Sequence, residues 1–242
     1  MNLRVFIGWD ERDALAANVC ASSLRRLGCE PTFLRRDTLV QAGVHKRELF
    51  TTEAGQHYDV QTKKPQSTEF AFTRFHLPQL CDYQGWALFT DPDTLWTESP
   101  EALLHEMQEQ GEMAVWCVQH EHSPNESETM RGLIQTRYPR KNWSSVMLCD
   151  CGHTDCRRLG EHDLTNTEDG LYLHGFGWTE QPGQLADKWN WLALPNRPAP
   201  IDMPACIHWT LGGPWMRGYA HTPYADLWRA EVSDFWWKGR TA

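Results

Sequence analysis

Apolar and polar positions along this chain alternate between a strand period and a helix period. Leu3 to Ile7 is an apolar run that stops at Gly8, the pattern of a buried first strand. Ala14 to Leu27 then places Leu15, Val19 and Leu24 near helical spacing, with Asp13 as cap and Gly28 as stop. Pro31 to Leu34 is a short second strand, so the chain opens as βαβ. Residues 41–66 are polar and poorly periodic, which predicts a surface excursion. Thr68 to Cys81 predicts a helix with Phe72, Phe75 and Leu80 on one face and Arg74 beside them. Trp86 to Phe89 is a compact buried strand running into Asp91-Pro92-Asp93. Ser99 as cap and Pro100 at the first position open a helix that reaches Gln110. Met113 to Val118 and Ser145 to Cys149 are further strands, separated by a polar loop with a basic end. Beyond Gly160 the chain is punctuated by Gly and Pro and rich in Trp.

Strands alternating with helices predict an α/β, Rossmann-like three-layer domain with a mostly parallel central sheet. A chain of 242 residues fits one such domain. Ligands of these sheets bind beyond the carboxyl ends of the strands. That rule singles out Gly8 to Arg12 and Asp91 to Asp93.

Charge and composition narrow the classes. Lys+Arg is 23 against 32 Asp+Glu, a net charge of −9, which argues against bulk electrostatic binding to nucleic acid or an anionic membrane. The opening residues hold no apolar stretch of signal-peptide length, and no window approaches the roughly 20 apolar residues of a membrane span. A soluble, cytoplasmic protein is expected. Eight Cys are too few for a disulfide scaffold. Cys149, Cys151, His153 and Cys156 are zinc-type ligands, but their spacing is not that of a zinc ribbon, and a strand end followed by a turn is the favoured reading. The 13 Trp are an excess. They read either as packing or as a platform for sugar rings or bases.

Asp91-Pro92-Asp93 is the sharpest chemical feature. Two carboxylates one residue apart at a strand end address the same space, and can share a hard divalent ion that also takes phosphate oxygens. The competing reading is an Asx turn stiffened by Pro92. His208 precedes Gly212-Gly213, whose backbone can approach an anion closely. It is either a structural histidine or a third ligand beside the two aspartates. No P-loop, no dinucleotide glycine motif after the first strand and no hydrolase elbow occurs.

Several blocks in order, VFIGWDER, STEFAFTRFHLPQL, WALFTDPDTLW, KNWSSVMLCD, WNWL and IHWTLGGPW, resemble a small GT-A glycosyltransferase, similar to the glycosyltransferase 8 group and its bacterial and phage relatives. The resemblance runs nearly end to end, and implies a nucleotide-binding half over 1–118 and an acceptor half over 119–242. It implies a nucleotide-diphosphate sugar donor, UDP-linked by preference, with Mn²⁺ or Mg²⁺, and transfer of a hexose or similar sugar to an acceptor hydroxyl with retention. By position, it puts Gly8, Asp10 and Arg12 in the nucleotide pocket, and Phe72 and Arg74 near the base or diphosphate. Asp91, Asp93 and His208 become metal ligands, with Asp91 also touching the donor. Asn142, Ser144 and Ser145 face the sugar. Trp189 and Asn190 lie near the sugar or acceptor, and Gly212, Gly213 and Trp215 near the phosphates. The chain departs from the group at its end, where Gly213 stands in place of a lysine before Pro214-Trp215. Backbone N–H groups, Lys141 or Arg217 would then supply the charge.

Catalytic roles are expected for Arg74, Asn190 and Asp187, the last as a candidate carboxylate near WNWL. Trp189, Trp191, Trp209 and Trp215 are expected to wall the pocket. A sugar nucleotidyltransferase and a Trp-rich carbohydrate-binding protein are the competing readings. The acceptor is expected to be a glycan or a modified base in phage DNA, which Arg131, Arg137, Arg140 and Lys141 would meet at its phosphates.

Overall fold

The structure, a computed structural model, describes residues 3–107, 111–121, 134, 139–160, 164–165, 170–194 and 196–238, with side chains as far as Asp234. The expected basic contacts of Arg131 and Arg137 lie outside the described residues.

In chain order the strands are β1 (Leu3–Gly8), β2 (Thr32–Leu34), β3 (Leu49–Thr51), β4 (His57–Asp59), β5 (Pro65–Gln66), β6 (Trp86–Thr90), β7 (Thr94–Trp96), β8 (Val115–Cys117), β9 (Val146–Asp150), β10 (Gly183–Gln184), β11 (Trp191–Leu192) and β12 (Cys206–His208). The helices are α1 (Ala14–Arg26), α2 (Arg36–Gln41), α3 (Leu77–Leu80), α4 (Ala102–Met107), α5 (Thr154–Arg158), α6 (Gly170–His174) and α7 (Ala225–Lys238).

Six strands form the central sheet in the order β10-β8-β9-β6-β1-β2. Only β9 runs against its neighbours in this sheet; the other five share one direction. The sheet is therefore mostly parallel, as the alternation of elements predicts. Both of its faces are covered. Phe6, Phe89 and Met147 enter one apolar cluster, while Val5, Ile7, Leu88 and Leu148 enter the other. A period of two with both phases buried is why these strands read as continuous apolar runs.

The reversed strand matters for the site. Because β9 is antiparallel to β6, its beginning lies beside the carboxyl end of β6, with Thr90 opposite Val146 and the Asp91 N–H donating to the Ser145 carbonyl at 2.8 Å. The segment Asn142–Ser145 is thus delivered to the edge where Asp91 emerges. A second, three-stranded sheet, β11-β12-β7, then pairs His208 opposite Thr94. That pairing crosses more than a hundred residues, and no local pattern announces it.

Two expectations are corrected. Thr68 to Cys81 is not one helix but a turn, a 3-10 turn over Thr73–His76 and then α3. Pro78 has no N–H to give the carbonyl of Arg74, so a continuous helix breaks there. Residues 41–66 are not a loose excursion, since β3, β4 and β5 form an antiparallel sheet. A buried ion pair organises it: Arg47 donates to both oxygens of Asp59, at 3.0 and 2.5 Å, with both side chains 2% exposed. A core made of charge leaves no apolar period to read.

Candidate active site

The turn after β6 exposes two carboxylates to one space, and β12 adds an imidazole. One ligand atom each from Asp91, Asp93 and His208 lie within 4.8 Å of one another. His208 Nε2 is 3.4 Å from Asp93 Oδ1, and the His208 side chain is 2% exposed. The turn itself is held by backbone and hydroxyl bonds. Thr94 Oγ1 donates to the Asp91 carbonyl at 2.9 Å, and the Trp209 N–H donates to the Asp93 carbonyl at 3.0 Å. The carboxylates are not used to make it. Oδ1 of Asp91 and Oδ1 of Asp93 are both buried without a hydrogen bond among the described residues.

One cation is built in. Arg74 lies between the rings of Phe70 and Phe89, donates to the Ser144 carbonyl at 2.7 Å, and places Nη1 3.0 Å from Asp91 Oδ1. Burial pushes the Asp91 carboxyl up to about 7; Arg74 opposes that rise and Asp93 adds to it. For His208, burial works against the charged form, but the Asp93 carboxylate outweighs it and raises the imidazole above its ordinary value.

Buried carboxylate oxygens that accept no hydrogen bond, one of them ion-paired with Arg74, form with an adjacent imidazole a donor set for a divalent cation. The residues present fit one.

The remaining expected site residues fall into two groups. Asn142, Ser145 and Asn190 sit directly behind His208. Others are absorbed elsewhere. Asp10 is 1% exposed, and both its oxygens are taken by Arg12, at 2.8 and 2.5 Å. The Arg12 guanidinium also donates to the carbonyls of Gly55 and Ser67, which ties the β3–β5 sheet to the end of β1. The pair acts as a latch between the two elements. The Asp13 position caps no bond of its own to α1; the cap bond is one turn earlier, from the Arg12 N–H to Asp10 Oδ1. Gly8 is covered by the Phe70 ring, and a Cβ there would meet it at 2.6 Å. Gly212, at φ +146, lies under Tyr219, and Gly213 lies under Trp215, so a side chain at either position would meet an aromatic ring. Ser144 is buried and shares a 2.8 Å hydrogen bond with His174. Phe72 is buried under the Arg47 guanidinium. Asp187 is half exposed and its carboxylate is held by Arg197, at 2.5 Å.

The tryptophans are corrected as well. Trp189, Trp191 and Trp209 are buried in the apolar clusters, and Trp215 packs between Trp209 and Trp228. Trp189, Trp191 and Trp209 are packed into the interior rather than open to a sugar ring, and Trp215 is half-buried. Cys149, Cys151 and Cys156 are likewise buried in the core, and among the described residues they form no converging ligand group. His120 was missed. It follows the carboxyl end of β8, its Nε2 is buried without a hydrogen bond, and burial followed by the fields of His208 and Arg197 lowers it to about 3. Its place two residues past Val118, at a strand end, was the available signal.

Protein CDI of Arabidopsis thaliana is 37% identical over 237 residues, which cover 96% of this chain and 86% of that protein. This chain belongs to the family of Protein CDI. No protein-family model matches it. Among solved structures, the bifunctional glycosyltransferase WbbM superposes with a TM-score of 0.61 at 13% identity, over 96% of this chain but 50% of its own. The galactosyltransferase LgtC, solved with donor and acceptor sugar analogues, gives 0.55 at 13% identity over 96% and 95%. Mouse xyloside xylosyltransferase 1 gives 0.51 at 13% identity over 86% and 97%. At such identities the likeness establishes the fold, which is the GT-A fold of glycosyltransferases. No helix among the described residues is long and apolar enough to cross a membrane.

Proposed function

We propose that this protein transfers a sugar from a nucleotide-diphosphate donor to an acceptor hydroxyl, with Asp91, Asp93 and His208 holding a divalent cation. One observation carries the reading: in a GT-A fold, two buried carboxylate oxygens without hydrogen bonds converge with an imidazole just past a central strand. An imidazole among the ligands favours Mn²⁺ over Mg²⁺. Bound there, the cation supplies Lewis-acid neutralisation of the diphosphate and a template for its oxygens.

In the reaction, the bond from the anomeric carbon to the diphosphate oxygen breaks and the bond to the acceptor oxygen forms. The acceptor's proton leaves with the nucleoside diphosphate. Attack on the face the diphosphate leaves gives retention. Arg74, held by Ser144 and the two Phe rings, is preorganised to offset charge that grows on the leaving group. Asp91 holds Arg74 in place through their ion pair. The donor is a UDP-sugar in this reading, and the acceptor a glycan or a modified base in DNA.

The test is a panel of nucleotide sugars with Mn²⁺, scored for release of nucleoside diphosphate without acceptor. Wild type is expected to turn over one donor in the panel. Asp91→Asn and Asp93→Asn are expected to lose turnover and Mn²⁺ binding while keeping their circular dichroism. Full activity of both variants in EDTA would sink the proposal.

A further inference from the structure

Asn190 is fully buried, and its side-chain amide meets His208 at one end and Asn142 and Ser145 at the other. Its Nδ2 donates to the Asn142 carbonyl at 3.1 Å and to Ser145 Oγ at 3.0 Å. The serine hydroxyl is already committed as a donor to the same Asn142 carbonyl, at 2.5 Å. A backbone carbonyl only accepts, so the NH₂ end of the Asn190 amide has to face it. The amide orientation is thereby fixed. Its other end, Oδ1, lies 2.9 Å from Nδ1 of His208.

An amide oxygen also only accepts. Nδ1 of His208 therefore carries the proton, and in the neutral ring Nε2 carries the lone pair. Nε2 is the atom that faces Asp93, at 3.4 Å. Left to itself, an imidazole beside a carboxylate places its proton between them, as an N–H···O bond. That arrangement occupies both groups and leaves the imidazole no lone pair for a cation. The Asn190 oxygen opposes it from the far side of the ring.

The clip is assembled from three distant segments. Asn142 takes a left-handed backbone, φ 65, and its Oδ1 accepts from the Thr210 hydroxyl at 3.0 Å. The pairing of β11 with β12 sets Leu192 opposite His208, which fixes Asn190 at the depth of the ring.

We infer that Asn190 is a positioning residue that locks His208 in the Nδ1–H tautomer, so that Nε2 presents its lone pair to the space shared with Asp91 and Asp93. This rests on the reading of those three residues as a divalent-cation site. Outer partners of this kind govern the orientation and tautomer of ligating histidines elsewhere, and their loss costs about 10- to 100-fold in metal affinity.

The experiment uses the full chain labelled with ¹⁵N-histidine. Long-range ¹H–¹⁵N spectra of the metal-free protein, taken along a pH series that reaches the neutral ring, report which ring nitrogen of His208 keeps its proton, and Mn²⁺ affinity is read separately by electron paramagnetic resonance. Wild type is expected to show Nδ1–H. Asn190→Leu is expected to move the proton to Nε2 and to weaken Mn²⁺ by about 10- to 100-fold with circular dichroism unchanged. Asn190→Asp, which keeps an accepting oxygen, is expected to keep the tautomer and most of the affinity; this variant and the wild-type spectrum decide the matter if Asn190→Leu does not fold. A wild-type Nε2–H tautomer overturns the inference. So does a folded Asn190→Leu protein with wild-type tautomer and affinity, and that result leaves the cation site standing. A wild type that binds no Mn²⁺ while showing Nδ1–H overturns the cation reading instead.

Discussion

Arg74 stands 3.0 Å from Asp91, Nη1 to Oδ1, with side-chain exposures of 7% and 17%. The guanidinium is also fixed by the Ser144 carbonyl and by the Phe89 ring, 4.6 Å from its centroid. It is thus a positive charge whose position does not depend on ligand, set against the carboxylate that opens the proposed cation site. A lysine at this place would lack the planar guanidinium face that lies against the Phe70 and Phe89 rings.

This arrangement separates two functions that substitution can tell apart. Arg74→Met is expected to lower turnover of the donor by roughly 100-fold or more, the usual size of a lost charge-stabilising contact. Mn²⁺ affinity should stay within about 10-fold, because the three ligands remain. Arg74→Lys should recover part of the rate. A wild-type rate in Arg74→Met, measured at saturating donor, contradicts the assignment.

The Asp10–Arg12 latch gives a prediction about stability. Arg12 holds Asp10 and two carbonyls of the small sheet at the same time. Asp10 is buried, which alone would raise its carboxyl, yet Arg12 and His57 hold it well below the usual carboxylate range. Arg12→Leu leaves that charge buried without its partner, a change that costs about 3–5 kcal/mol. The expected signature is a lower melting temperature, with faster amide exchange in residues 49–66 than in β1 or β6. Unchanged exchange in that segment contradicts the latch.

His45 and His76 give the pH dependence. Nδ1 of His45 and Nε2 of His76 are 3.0 Å apart in a buried pocket. Burial lowers His45 to about 3, with the His76 and Arg36 charges adding to it, and burial lowers His76 to about 4. Both native values lie below the unfolded value of 6.5, so the unfolded chain binds protons first as pH falls. The contribution of the pair is therefore complete above about 6.5 and is lost as pH falls, down to about 4 for His76 and about 3 for His45, at up to about 1.4 kcal/mol per pH unit for each proton. Chemical denaturation across that range should show the slope, and His76→Gln should flatten it. An equal slope in the variant points to other groups.

Much of the frame was readable from local order. The apolar runs at Leu3, Trp86, Met113 and Ser145 became strands of the central sheet, because strands buried on both faces need side chains of one kind. The aspartate pair at the end of the Trp86 strand and the histidine of IHWT were visible as residue types suited to a shared ligand. The polar stretch 41–66 was misread because its core is the Arg47–Asp59 ion pair, and hydropathy counts charge as surface. The glycines at 8, 212 and 213 lie against Phe70, Tyr219 and Trp215, contacts that no spacing rule announces.

By itself, then, the sequence determined the α/β frame and the residue types at Asp91, Asp93 and His208, since strand period, strand ends and ligand chemistry are all local properties. Only long-range packing brings His208 to Asp93, Arg74 to Asp91 and Asn190 to His208. Those pairings depend on β9 running backwards beside β6 and on β12 pairing with β7. Strand partners chosen across more than a hundred residues follow from the packing of the whole chain, which places the long-range neighbours of each site residue.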